Sequence, residues 1–326
     1  MKRILSVILI FSLTLALLAA CGGTAEPTIT TEPTEPTEGE TKPAMNIMQK
    51  SDPAQDDTLN ILMIGSSFCF YYVEELWGML DAAGIKARVC NVYYSGCPLE
   101  NHWNWWKSGE AHYDFYVTDE NGRVGTKGVN LEYCLQQGNW DIISLQESTH
   151  KIRNGGGVNH FTTTQTYLTD LWGYIKEQFP HSRYFWHQPW AYQVGSDKNG
   201  IQMTDLTMQL MHTIPLREYA IRVCEEFDLE WVNSGEAWHL VRQAGYDELC
   251  ARLGVNGNKG DYSHDGDIGG GQYLNACVWY EVITGQSCLE NSYRPEYQTL
   301  TLADDLIELL QKSAHEAVAS RAASEG

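Results

Sequence analysis

The chain has 326 residues, with 42 acidic against 22 basic side chains and a formal charge of −20. That excess argues against nucleic acid or an anionic membrane surface as a partner of its exterior, because such binding depends on Lys and Arg neutralising phosphates. Nine cysteines are present, but none forms a C-x-x-C pair, so the spacing of a zinc site is absent.

The amino terminus reads as an address. Lys2 and Arg3 precede an apolar stretch from Ile4 to Leu18, which Leu18-Ala-Ala-Cys21 closes. A positive start, a short apolar run and small residues before a cut mark a secretory signal, and the run is shorter than the ~20 residues a spanning helix needs. The Cys after Leu-Ala-Ala resembles a bacterial lipobox, which implies cleavage before Cys21 and lipidation there. Residues 1–20 are therefore expected to be a lipoprotein signal peptide, with the mature chain outside the cytoplasm, anchored to the membrane through Cys21. Residues 21–57 carry Glu-Pro-Thr repeats at Glu26, Glu32 and Glu35; proline and charge favour solvated, extended chain, and we read a disordered tether. Residues 58–326 suit one large domain.

That domain opens on Asn60-Ile-Leu-Met-Ile-Gly-Ser-Ser-Phe-Cys69. Ile61 to Ile64 is a short apolar run stopped by Gly65, the signature of a buried strand. Leu76, Leu80 and Ala83 then follow at helical spacing. Further strands are expected at Ala87–Tyr93, Asp141–Leu145, Arg183–Trp186 and Leu229–Val232. Helical patterns lie at about Tyr71–Ala83, Thr163–Gln178, Met203–Glu226, Glu236–Leu253, Gln272–Thr284 and Leu300–Ser320. Tyr113 to Val124, with Glu120-Asn-Gly122 at its middle, looks like an inserted hairpin. Alternating β and α units imply an α/β fold, a mostly parallel five-stranded sheet covered on both faces.

Open sheets of this type place their chemistry at the carboxyl ends of the strands. Ser66 and Ser67 follow the first strand, Tyr94-Ser-Gly-Cys-Pro-Leu99 the second, and Gln146-Glu-Ser148 the third. Asp261-Tyr-Ser-His264 opens a Gly-rich loop. An Asp three residues before a His can orient the imidazole, and the imidazole can take a proton from a serine hydroxyl. Ser67 could equally be a helix cap.

Together these blocks resemble the SGNH (GDSL-type) hydrolases, in the branch reading Gly-Asn-Ser-Phe in its first block and Asp-x-x-His-x-x-Asp-x-Gly in its last. Gly65-Ser-Ser-Phe68, Ser95-Gly-Cys-Pro-Leu99, Trp140 to Ser148, Trp190-Ala-Tyr192 and Asp261 to Gly269 carry the likeness, over about Leu59 to Gly285. The resemblance implies a three-layer α/β/α sandwich of flavodoxin-like order and metal-free ester hydrolysis. It makes Ser67 the nucleophile, His264 the base and Asp261 its orienter, with Ser67 and Gly96 as oxyanion donors. The third block departs from the superfamily, since no Asn occurs between Leu145 and His150. Gln146 can donate in its place, whereas an ionised Glu147 would repel a developing negative charge.

Asp261-x-Ser263-x-Asp265-Gly266-Asp267 imitates the start of a calcium loop, but Gln272 stands where a bidentate Glu is needed, so neither metal nor cofactor is expected. Trp103, Trp190 and Tyr192 are candidate stacking surfaces for a sugar, the alternative being ordinary ring packing. The sequence thus points to a surface esterase removing O-acetyl or similar acyl groups from carbohydrate. The alternative is a lipid-anchored glycan- or solute-binding protein without catalysis.

Overall fold

The computed structural model describes residues 57–192, 197–198, 201–202, 206–246, 270–296 and 301–324. The expected signal peptide, Cys21, nearly all of the tether, Asp261, His264 and the calcium-like stretch lie outside these residues.

β1 (Leu59–Gly65) is the centre of the fold. Its four apolar residues Ile61, Leu62, Met63 and Ile64 are each fully buried. Successive side chains of a strand point to opposite faces, and here they feed two separate cores. Ile61 and Met63 enter one, and Leu62 and Ile64 the other. β1 pairs in parallel with β2 (Ala87–Tyr93) on one side and β5 (Ile142–Leu145) on the other. β6 (Arg183–His187) and β9 (Glu230–Val232) continue the parallel set outward from β5. The parallel order β2-β1-β5-β6-β9 is the flavodoxin-like one, and its switch point lies between β1 and β5.

Helices cover both faces. α1 (Val73–Ala82), α7 (Ser234–Val241), α8 (Gly270–Thr284) and α9 (Asp304–Ser324) supply the first core. α2 (Leu99–Ser108), α3 (Leu131–Leu135), α4 (Thr149–Gly155), α5 (Val158–Gln178) and α6 (Leu206–Phe227) supply the second. The architecture is the expected three-layer sandwich. A two-residue ladder, β7 (Asp197–Lys198) with β8 (Ile201–Gln202), stands apart from the main sheet.

The sheet itself is wider than expected. The hairpin β3 (Tyr113–Asp119) and β4 (Gly122–Val129) pairs antiparallel with β2, so the sheet has seven strands rather than five. Helices α2, α3 and α4 were also not foreseen. α2 reads Leu-Glu-Asn-His-Trp-Asn-Trp-Trp-Lys-Ser, rich in residues of middling helix propensity, and packing rather than propensity sustains it. Its Leu99, His102 and Trp106 are buried, His102 Nδ1 lying 2.9 Å from Tyr113 Oη of β3 and Trp106 packing on Tyr174 of α5.

Glycines report how tightly the layers close. A Cβ on Gly271 of α8 would come within 2.3 Å of the Trp238 indole, which is fully buried, stacked on Trp190 at 5.0 Å, and held by Asn275. Gly173 of α5 is exposed and a Cβ there would meet nothing within 4 Å. Replacing a helical Gly by Ala gains about 1 kcal/mol from propensity, whereas overpacking costs about 1–3 kcal/mol. Gly173→Ala should therefore raise stability by roughly 0.5–1 kcal/mol, and Gly271→Ala should lower it by up to about 2 kcal/mol. Urea midpoints of the two variants measure the difference, and equal shifts of the same sign would contradict this packing.

Candidate active site

β1 ends at Gly65 because the next strand's loop comes too close for a side chain. A Cβ there would lie 3.1 Å from Gln146 Cβ, 3.2 Å from Gln146 Oε1 and 3.0 Å from Cys69 Sγ. The chain then turns through a single 3-10 turn, Ser67–Cys69, with Ser66 in extended backbone ahead of it. Cys69 N–H donates to Ser66 O at 3.1 Å and Phe70 N–H to Ser67 O at 3.2 Å, closing the turn.

The two hydroxyls of this turn have different surroundings. Ser66 is 2% exposed, and its Oγ donates to Gln146 Oε1 at 3.4 Å. Ser67 is 9% exposed, and among the described residues its Oγ has no hydrogen-bond partner. Both lie at the switch point, directly after β1.

Gln146, the first residue beyond β5, is 1% exposed. Its Nε2 donates to His187 Nδ1 at 2.8 Å. Tyr72 Oη lies 3.2 Å from the same nitrogen, and His187 Nε2 lies 2.9 Å from Ser234 Oγ. Burial pushes the His187 pKa down to about 3, so the ring stays neutral. One N–H of Gln146 is thus committed to His187, leaving the second for the oxyanion role expected of it.

Glu147 faces the other way. Its Oε1 accepts the N–H of Leu99 at 3.2 Å, and both the N–H and the hydroxyl of Ser148, at 2.6 and 3.1 Å. Its Oε2 lies 3.1 Å from His160 Nε2 on α5. With its side chain only 1% exposed, Glu147 ties the loop after β5 to the first turn of α2. It holds the loop in place.

Gly96 sits in the turn after β2, which Cys97 N–H closes onto Tyr94 O at 3.2 Å. Its φ of +64° is the left-handed region that glycine adopts without strain. It is exposed, and a Cβ there would meet nothing within 4 Å. Tyr94 N–H reaches Gly65 O at 3.5 Å, so this turn lies beside the start of the serine turn.

The rings expected to stack on a sugar are placed differently. Trp190 is 1% and Tyr192 4% exposed; Phe68 packs on both, at 4.4 and 6.2 Å, and Trp238 covers Trp190. Neither offers an open face, because the segment after β6 runs beneath the serine turn. Trp103 is half-buried; its Nε1 donates to Asp170 at 2.8 Å and its ring packs on Tyr167, joining α2 to α5. Other rings flank the turns instead. Phe70 stacks on Tyr93 at 4.3 Å and meets Tyr116 of the hairpin at 4.9 Å, with Arg123 at 3.8 Å from its centroid. Tyr94, 40% exposed, packs on Trp105 at 4.8 Å. Sequence reasoning marked Trp105 and His187 only as part of the aromatic groups after Gly96 and the fourth strand, and missed Phe70, Tyr93, Tyr116 and Ser234, whose signal was their place at or after strand ends.

All seven described cysteines are free thiols. Cys69 donates to Ser66 O at 3.2 Å, and burial pushes its pKa up to about 12, so it is no rival nucleophile.

Comparison with known proteins places this geometry in a family. A search of curated proteins finds no match. The fold is similar to the crystal structure of a DUF4886 family protein from Bacteroides uniformis, at 24% identity and a TM-score of 0.69, over 81% of this chain and 96% of that one. An acetylxylan esterase from Geobacillus stearothermophilus is similar at 14% identity and a TM-score of 0.39, over 69% of this chain and 92% of that one. Matched by the family model over residues 60–317, the chain belongs to the family described as Domain of unknown function (DUF4886).

Proposed function

We propose that this protein is a serine ester hydrolase of the SGNH type, anchored outside the cell through Cys21, that removes acyl groups from carbohydrate. The observation carrying this reading is the divergence of the paired hydroxyls. Ser66 is spent on Gln146, whereas Ser67 Oγ is left without a described partner at the switch point, where an α/β sheet binds its ligand. The block motifs of the sequence choose the same serine.

In this reading Ser67 Oγ attacks the ester carbonyl while His264 accepts its proton and Asp261 orients the imidazole. The backbone N–H groups of Ser67 and Gly96, with the remaining N–H of Gln146, receive the oxyanion. Collapse expels the sugar hydroxyl, which takes the proton from His264. Water activated by the same imidazole then releases the carboxylic acid and restores Ser67. The open left-handed turn at Gly96 supports its part, since a donor without a side chain can approach the substrate closely.

Carbohydrate is favoured by the rings around the turns. Tyr94, packed on Trp105, replaces Trp190 and Tyr192 as the candidate stacking surface. An aromatic pair is worth about 0.5–1.5 kcal/mol beyond its buried area, and we take the same scale for a sugar face on a ring.

Three kinetic comparisons test the site on one acetyl ester. Ser67→Ala should lose at least ~10³-fold in kcat, because no base can act on a missing oxygen. Ser66→Ala should lose at most about fivefold, one neutral hydrogen bond. Gln146→Ala should fall between, near 10²-fold. A dead Ser66→Ala with a live Ser67→Ala would move the site by one residue, and activity unchanged in Ser67→Ala would favour the binding-protein reading.

Tyr94→Ala should raise KM for an O-acetylated oligosaccharide about 2- to 10-fold more than for p-nitrophenyl acetate. Equal effects on both esters would remove Tyr94 from sugar binding. Cys21→Ala should move the protein from the membrane fraction to the soluble one with activity per molecule retained; persistence at the membrane would rule out the lipid anchor.

A further inference from the structure

We propose that His187 is a positioning residue of this site, which by accepting an N–H of Gln146 fixes the direction of that amide and, through it, the inward turn of Ser66. Its catalytic consequence rests on the functional reading above; the hydrogen-bond string itself does not.

The chemistry of each partner sets the direction of the string. An amide nitrogen can only donate, so the 2.8 Å contact from Gln146 Nε2 requires a bare Nδ1 on His187. Tyr72 Oη lies 3.2 Å from that nitrogen and 3.8 Å from Met63 Sδ, and its one proton is shared between these two acceptors. A neutral imidazole bare at Nδ1 carries its proton on Nε2, which donates to Ser234 Oγ at 2.9 Å. On the far side of the amide, Oε1 accepts from Ser66 Oγ. Every donor therefore points the same way, Ser66 to Gln146 to His187 to Ser234, across the carboxyl ends of β1, β5, β6 and β9.

Nothing in the string can turn independently. His187 is fully buried, with the Tyr72, Trp190 and Trp279 rings around it at 5.7, 6.3 and 5.4 Å. Among these described neighbours Tyr72 is the one titratable group, so no carboxylate stands by to hold an imidazolium. The Gln146 amide is wedged between this ring and the missing side chain of Gly65, whose Cβ would sit 3.2 Å from Oε1. Reversing the amide with the ring left bare at Nδ1 would face Oε1 against that nitrogen, so the amide and the ring tautomer can turn only together. A buried polar string of this kind is costly to leave half-satisfied. A histidine that merely filled space would impose no such direction.

Two variants separate direction from bulk in the full chain. His187→Asn can place an acceptor oxygen near the position of Nδ1, whereas His187→Leu fills the space with no acceptor. His187→Leu should lower kcat on an acetyl ester by about 10- to 100-fold with KM within about twofold, and His187→Asn should recover to within about fivefold of wild type. Nitrogen-15 spectra of the ring should show the Nε2–H tautomer, unchanged between pH 5 and 8. Gln146→Glu, which puts an acceptor where the amide donates, should move the ring proton to Nδ1; this readout needs neither catalysis nor a folded Leu variant. An Nδ1–H ring in the wild type overturns the proposal. So does wild-type kcat in His187→Leu when Ser67→Ala is inactive, or equal damage in the Asn and Leu variants. A wild type with no ester turnover would instead refute the functional reading, and the tautomer would still decide the string.

Discussion

The rest of the structure depends on the burial of β1 on both faces. Ile61, Leu62, Met63 and Ile64 have no exposure, so the strand's backbone groups can be satisfied only by neighbouring strands. That requirement is met by β2 and β5 in parallel. Helices must then cross over the faces, and the sandwich follows. The strand's carboxyl end is where the side chains change from apolar to hydroxyl, and the turn carrying Ser66 and Ser67 follows it directly.

The loop after β5 supports that end with two adjacent side chains that part company. Gln146 reaches toward β1 and β6, and Glu147 toward α2 and α5. Both are buried and both are well supplied with partners, as polar groups removed from water must be. Their effect is to set two turns, Ser66–Ser67 and Gly96–Leu99, relative to one another. A reaction that needs an oxygen and its oxyanion donors in register would gain from such bracing, because misplacement by about 1 Å can cost ~10²-fold in rate.

The hairpin β3–β4 adds a different element. It lengthens the sheet beyond β2 and brings Tyr116 and Arg123 against Phe70, three residues past Ser67. Arg123 also donates to the Phe70 carbonyl at 3.1 Å. The insertion thereby builds one wall of aromatic rings beside the serine turn, at the edge away from the buried Trp190 and Tyr192.

The sequence by itself determined the five parallel strands, the main helices between them and the position of the serine turn, though not the short helices α2, α3 and α4 or the joining of the hairpin to the sheet. Those features are local: an apolar run stopped by Gly65, an alternation of periods, small residues at strand ends. It also set Gln146 and Gly96 just after the strands on either side of β1, because the carboxyl ends of parallel strands lie along one edge of the sheet. Only the tertiary structure decided which of the two serines turns inward, since that depends on where Gln146 Oε1 arrives across 80 residues. It likewise decided that Trp190 and Tyr192 are covered, through Phe68 and Trp238 packing from distant segments. His187, Tyr72 and Ser234 carry no motif, and their common purpose arises from long-range hydrogen bonds that no local pattern encodes.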